Sequence, residues 1–352
     1  MKPIRSNDRG ERVLDVQARL GALGYEVPAD ERGAFGEHTE RAVRAFQDAR
    51  GLHVDGIVGP DTWRSLVEAS WKLGDRVLYL RSPYLLGDDV RELQDRLTTL
   101  GFDVWRTDGI FGTRTMEAVI EFQRNVGVPA DGIVAASTIR ALTGLPRITG
   151  DTPSASIRER EALRARPGTV TGLRIVLDPG HGGSESGFVG STGAREADVC
   201  FAIARLAEAA LAAAGAQVYL SRSTHDSPDA AVRTTLANVL DADVYLALHT
   251  GGDRAGAGAH YFGHERYASE AGRHLASLLL DETSGVGFAS RGATPKTFAI
   301  LRDTRMPAVF LEIGTITDPG DEKLLTDAGS QARLAEAIAR AIVRYARDPV
   351  AG

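Results

Sequence analysis

Residues 13–58 and 90–134 carry one pattern twice, and this duplication restricts the amino-terminal part of the chain to two small domains of one kind. Val13, Val16, Leu20 and Leu23 are matched by Val90, Leu93, Leu97 and Leu100, each set laying four apolar side chains on one helical stripe. Gln17 corresponds to Gln94 (94 − 17 = 77), Phe46-Gln47 to Phe122-Gln123 (122 − 46 = 76), and Asp55-Gly56-Ile57-Val58 to Asp131-Gly132-Ile133-Val134. One residue was therefore gained or lost in the first loop. Ala34-Phe35-Gly36 and Ile110-Phe111-Gly112 each precede a second helix, with apolar faces Ala42, Val43, Phe46 and Ala118, Val119, Phe122. A third short helix carries Trp63 and Leu66, or Ile139 and Leu142. Two copies are too few for a solenoid, and each holds enough apolar anchors for its own core. The expectation is two three-helix all-α domains, 7–70 and 84–145, with Phe46 and Phe122 in their cores.

Periodicity then breaks. Residues 146–172 contain Pro146, Gly150, Pro153 and Ser154 and read as a linker, with a short charged helix at 157–165. Its Arg158, Glu159, Arg160, Glu161 and Arg164 form a solvated face with ion pairs of small energetic value. Beyond 173 short apolar runs alternate with helical patterns. Strands are expected at 173–177, 217–220, 244–248, 259–262, 298–301 and 308–311, and helices at 197–214, 228–240, 267–282 and 331–345. This alternation predicts α/β architecture over 173–346, a mostly parallel twisted sheet with helices on both faces.

Within that half, the first strand opens into Asp178-Pro179-Gly180-His181-Gly182-Gly183, and Glu196 stands 15 positions after His181 at the start of a helix. Glycines around His181 let backbone and ligand approach closely. Taken alone, the stretch is equally a glycine-rich turn with a surface histidine and a helix-starting carboxylate. Two more strands run into His249 and into Glu312-Ile313-Gly314. Ligands of open α/β sheets bind at the carboxyl ends of the strands, where His181, His249, Glu312 and Glu196 would converge.

The chemistry that needs such a set is zinc hydrolysis. Two imidazoles and a carboxylate leave a fourth tetrahedral position for water, and a further carboxylate can take the proton of that water. No H-E-x-x-H stretch is present, so zinc peptidases of that type are not indicated. Cys200 is the single cysteine, which excludes an intrachain disulfide and a cysteine-rich metal site; it reads as a buried helix residue. With a net charge of −6, the chain offers no basic footprint for nucleic acid.

Residues 173–346 resemble the zinc-dependent N-acetylmuramoyl-L-alanine amidases. The resemblance rests on DPGHGG at 178–183, Gly193 with Glu196, SRSTHD and VRTTLAN within 221–238, ADVYLALH ending at His249, and MPAVFLEIG ending at Gly314. It implies cleavage of the amide between muramic acid and L-alanine, with His181, Glu196 and His249 as Zn2+ ligands and Glu312 as the catalytic carboxylate. Arg222, Arg233 and Asn238 match recurrent positions and are expected to be structural. His225, His260, His264 and His274 receive no role and are expected at surface or strand positions. The duplicated stretch resembles the peptidoglycan-binding repeat found beside such hydrolases, which implies peptidoglycan or muropeptides as the ligand.

Two departures from the family pattern stand out. The second zinc histidine is normally followed two positions on by Asn or Asp, and here Gly251 stands there; G-F-L after the catalytic Glu becomes Gly314-Thr315-Ile316. The residues 1–13 show no apolar export segment, and no stretch has the apolar length of a membrane span. These features predict a cytoplasmic protein, with the cell wall by another route as the alternative. Two repeats before an amidase domain also resemble actinobacterial proteins in which an amidase-like body serves regulation. A catalytically weak or inactive regulator of wall synthesis, with a cell-wall synthesis protein as partner, is therefore the alternative to an active amidase.

Overall fold

The structure, a computed structural model, describes residues 2–25, 27, 30–145, 168–251, 254–264 and 267–347. The helix expected at 157–165 lies outside the described residues. The chain divides into two compact units, Met1–Arg158 and Glu159–Gly352.

The first unit contains helices α1 (Glu11–Ala22), α2 (Glu37–Ala49), α3 (Pro60–Ala69), α4 (Asp88–Thr99), α5 (Thr113–Val126) and α6 (Ala136–Gly144). The three-helix expectation for each copy holds. Val13, Val16, Leu20, Val43, Phe46 and Leu66 close one core. Their counterparts Val90, Leu93, Leu97, Val119, Phe122 and Leu142 close the other. Arg50 grips Asp88 through Nη2 at 2.9 and 2.8 Å, joining the first copy to the second.

The structure reveals a finer recurrence than the twofold one. Gln17, Gln47, Gln94 and Gln123 each accept through Oε1 from the N–H of a loop glycine, Gly33, Gly56, Gly109 or Gly132, at 2.8–2.9 Å. Each Nε2 donates to a loop carbonyl and to Thr39, Thr62, Thr115 or Thr138. All four glycines have φ between 73° and 77°, the left-handed region glycine tolerates best. Each threonine stands six positions after its glycine, in G-[AI]-[FV]-[GA]-x-x-T. The half-repeat was legible in that motif, although the helical stripes mask it.

The second unit is a seven-stranded sheet among the described residues. Its strands are β1 (Arg174–Pro179), β2 (Gln217–Leu220), β3 (Val244–Gly251), β4 (Ala257–His264), β5 (Tyr267–Ala268), β6 (Ser290–Lys296) and β7 (Ala308–Thr315). The order is β2-β1-β3-β7-β4-β5, with β6 also paired to β4. Pairs β1–β2, β1–β3, β3–β7 and β4–β6 are parallel, whereas β4 runs antiparallel to β7 and β5. Helices are α7 (Glu196–Ala213), α8 (Ala230–Val239), α9 (Glu270–Ser284), α10 (Ala299–Arg302), α11 (Pro319–Thr326) and α12 (Ala328–Arg347).

Two sequence expectations need correction. Residues 298–301 are not a strand: 299–302 form α10. The strand lies earlier, at β6, whose sequence SRGATPK lacks the alternating apolar pattern and contains Gly292 and Pro295, residues depleted in strands. The helix expected from 267 begins at Glu270, after Ser269 caps it by accepting from Gly272 N at 3.0 Å.

Strand alternation decides where the site can sit. Ile175, Leu177, Leu246, Leu248, Ala259, Val309 and Leu311 face a core shared with α7, α9 and α12. Val176, Tyr245 and Ala247 are buried on the opposite face. There Arg233 of α8 and Tyr245 both meet Asp178. By the same parity His249, Phe310, Glu312 and His260 all face that second side.

Candidate metal centre

Asp178, the last polar group of β1, anchors the glycine loop. Its carboxylate accepts from Ser221 Oγ, from Tyr245 Oη at 2.5 Å and from Arg233 Nη1 at 2.5 Å. Arg233 also donates to the carbonyls of Pro179, His181 and Pro228, and Arg222 to those of Pro179, Gly180 and Ala197. The two guanidiniums thus pin both sides of the turn that carries His181, which sits at φ 55°. They are structural in the way expected. Asn238 likewise ties α8 to the segment after α10, through Asp303 O at 2.8 Å and Arg305 N at 2.9 Å.

His181, Glu196 and His249 come together, their candidate ligand atoms all within 4.8 Å of one another. Glu196 is the first residue of α7. Its Oε1 faces His249 Nδ1 at 3.0 Å and accepts from Thr250 N at 3.0 Å. Its Oε2 faces His181 Nε2 at 3.3 Å and accepts from Phe188 N at 2.9 Å. Burial opposes ionisation of Glu196, but the bonds to His181 and His249 outweigh it and hold the carboxyl well below its ordinary range. Close approach makes two glycines necessary. A Cβ on Gly180 would lie 2.3 Å from the His249 ring, and one on Gly187 would lie 2.4 Å from Glu196 Oε2.

The loop between His181 and Glu196 is held from the far side. Glu322 of α11 accepts from Ser191 N and Oγ and from Thr192 N and Oγ1 at 2.5–3.0 Å, and these bonds pull its carboxyl down to about 2. Sequence reading passed over this residue.

His249 and Glu312 are not at strand ends, as expected, but inside β3 and β7, directly opposite each other in the parallel ladder. Phe310 stacks on His249 with centroids 4.2 Å apart. Arg291 Nη2 donates to Glu312 Oε2, and His260 Nε2 lies 3.7 Å from the same oxygen. Thr294 Oγ1 is 2.6 Å from the other nitrogen of His260. Burial would raise the Glu312 carboxyl, but His260 and then Arg291 pull it down to about 2. His260 does lie on a strand, yet its ring belongs to the site; Arg291 and Thr294 were missed with β6. His225 is exposed and His264 closes β4. His274, neither strand nor open surface, sits on α9 beside Tyr345.

The donor set fits a zinc ion. Tetrahedral ligands with bonds of about 2.05 Å lie roughly 3.3 Å apart; each imidazole here approaches an oxygen of the carboxylate at 3.0–3.3 Å, and one donor atom from each of the three residues lies within 4.8 Å of the others. Small side-chain movements would suffice. Calcium and magnesium, which prefer all-oxygen shells, fit less well.

Comparison with known proteins matches both halves of the chain to families. The model of the N-acetylmuramoyl-L-alanine amidase family matches residues 175–344, and that of a peptidoglycan binding domain matches 9–66 and 87–142. The N-acetylmuramoyl-L-alanine amidase CwlM of Mycobacterium tuberculosis is 38% identical over 361 residues, spanning 97% of this chain and 89% of that protein. The amidase LytC of Bacillus subtilis is 29% identical over 203 residues, 57% of this chain and 40% of that protein. Among solved structures, amidase AmiC2 of Nostoc punctiforme aligns with a TM-score of 0.47 at 28% identity, covering 51% of this chain and 99% of that one.

Proposed function

This chain belongs to the N-acetylmuramoyl-L-alanine amidase family, and on that premise we propose that it is a zinc-dependent hydrolase of the amide joining N-acetylmuramic acid to L-alanine, held to peptidoglycan by its repeats. The observation that carries this reading is the convergence of His181, Glu196 and His249, with Glu312 across the ladder from His249. His181, Glu196 and His249 would hold the zinc. When bound, the ion supplies polarisation of the scissile carbonyl and a more acidic attacking water. Glu312 accepts the proton of that water as the C–O bond forms, and returns it to the L-alanine nitrogen as the C–N bond breaks. Arg222 and Arg233 keep His181 in place, and the Phe310 ring fixes His249.

The test is the identity of the products. Zinc-loaded full-length protein given muropeptides should release the stem peptide with a new free L-alanine amino terminus and leave every glycosidic bond intact. Glycan cleavage, or a free amino terminus at another residue, would assign a different reaction.

Wall binding has its own test, because two copies engaging one polymer gain from a high effective concentration. Residues 1–147 should sediment with insoluble peptidoglycan, and either repeat alone should bind at least about tenfold more weakly. A pair that stays in the supernatant removes the wall-binding role and turns the repeats into protein-docking modules.

A second reading has one specific observation in its favour. Arg291 donates to Glu312 and His260 lies 3.7 Å from the same oxygen, and a carboxylate held down by two such neighbours is a poor proton acceptor at neutral pH. That restraint suits a catalytically weak or inactive regulator of wall synthesis, acting in the cytoplasm on a cell-wall synthesis protein. It predicts zinc binding and muropeptide binding without turnover.

A further inference from the structure

Arg291 has more hydrogen-bonding capacity than its surroundings use. A guanidinium presents five N–H donors. One of them, on Nη2, goes to Glu312 Oε2. Its Nε is buried with no hydrogen-bond partner among the described residues, while the side chain as a whole remains 20% exposed. Buried polar groups are nearly always paired, so such an exception asks for an explanation.

Two glycines let this guanidinium lie close against β3 and β4 while part of it stays open to solvent. A Cβ on Gly258 would lie 3.0 Å from Arg291 Nη2, and one on Gly251 would lie 3.2 Å from it. Gly251 is the position where the family pattern has Asn or Asp. The space such a side chain would take is occupied here by Arg291, beside Thr315. Gly258 is the antiparallel partner of Glu312, so the guanidinium lies over the strand pair that carries the catalytic carboxylate.

We propose that Arg291 is a receptor for a carboxylate of the bound stem peptide, sharing its guanidinium between that group and Glu312; the proposal rests on the amidase reading above. A planar fork with unused donors matches a carboxylate in two-point contact, which a lysine cannot reproduce. The lactyl carboxyl of muramic acid is tied up in the amide to be cut, so before cleavage the available carboxylates are on the peptide. A peptide carboxylate that draws the guanidinium toward itself loosens its hold on Glu312. The acidic substrate thereby relaxes the restraint on its own base, and a ligand lacking the charge does not.

The test uses full-length, zinc-loaded protein and pairs of muropeptides in which one stem carboxylate at a time is free or converted to its primary amide. Binding is measured by calorimetry in the Glu312→Gln background, where turnover does not intervene. One acid should bind about tenfold or more tightly than its amide, the range of a charge-assisted hydrogen bond. Adding Arg291→Gln should reduce that ratio to about twofold or less, and Arg291→Lys, which keeps charge and bulk, should retain part of it. Equal affinity for acid and amide at every position overturns the proposal, as does a preference that survives Arg291→Gln. A folding defect in the Gln variant leaves the acid-to-amide ratio of the parent and the Lys variant to decide. Wild-type protein that hydrolyses neither ligand defeats the amidase reading, while the binding ratio still judges Arg291 separately.

Discussion

Glu312→Gln should abolish release of the stem peptide while zinc content and muropeptide binding stay at the wild-type level. The substitution keeps the size of the side chain and its ability to accept from Arg291, and removes only the group that can take a proton. General-base assistance is worth roughly 10²–10⁴-fold, so kcat should fall by that range with KM little changed. Activity within about threefold of wild type would remove Glu312 from the chemistry. The pH profile adds an independent check. With its carboxyl pulled from 4.5 to about 2, Glu312 is ionised throughout the neutral range, so it contributes no acid limb above about pH 4 in the free protein. A depressed carboxylate stabilises the fold above its unfolded value; this contribution is present above about 4.5 and lost as the pH falls through about 2.

The second large effect is expected at the metal. Purified wild-type protein should contain about one zinc per chain, the stoichiometry of a single three-residue site. His181→Ala combined with His249→Ala should lose it, because Glu196 alone is left and one carboxylate does not hold zinc against solvent. Elemental analysis of the dialysed protein decides the matter, and stoichiometric zinc in the double variant would refute this ligand assignment. Hydrolysis should disappear with the metal. The fold of the second unit should survive, since its core lies on the other face of the sheet and neither histidine contributes to it.

The residues involved also show how far local sequence reaches. Apolar spacing in the repeats corresponds directly to α1, α2, α4 and α5, because a helical stripe is a local property of consecutive residues. Gln17, Gln47, Gln94 and Gln123 were visible, yet their common role was not: each closes a loop up to 16 residues away, and the threonine completing it stands in the next helix. His181, Glu196, His249 and Glu312 could be singled out because each follows an apolar run or opens a helix. His260 could not, since nothing local separates it from any other histidine on a strand.

The sequence by itself determined the two helical repeats, the alternation of strands and helices after residue 173, and the residue types able to bind a metal and move a proton. Each of these depends on side chains within about two turns of helix or one strand of their neighbours. Tertiary structure alone decided that His249 stands opposite Glu312, and that an unrecognised strand, β6, brings Arg291 to that carboxylate and Thr294 to His260 beside it. Those placements depend on strand order and register, fixed by burial of one face of each strand across the whole sheet, and a shift of one residue would turn every one of these side chains to the other side.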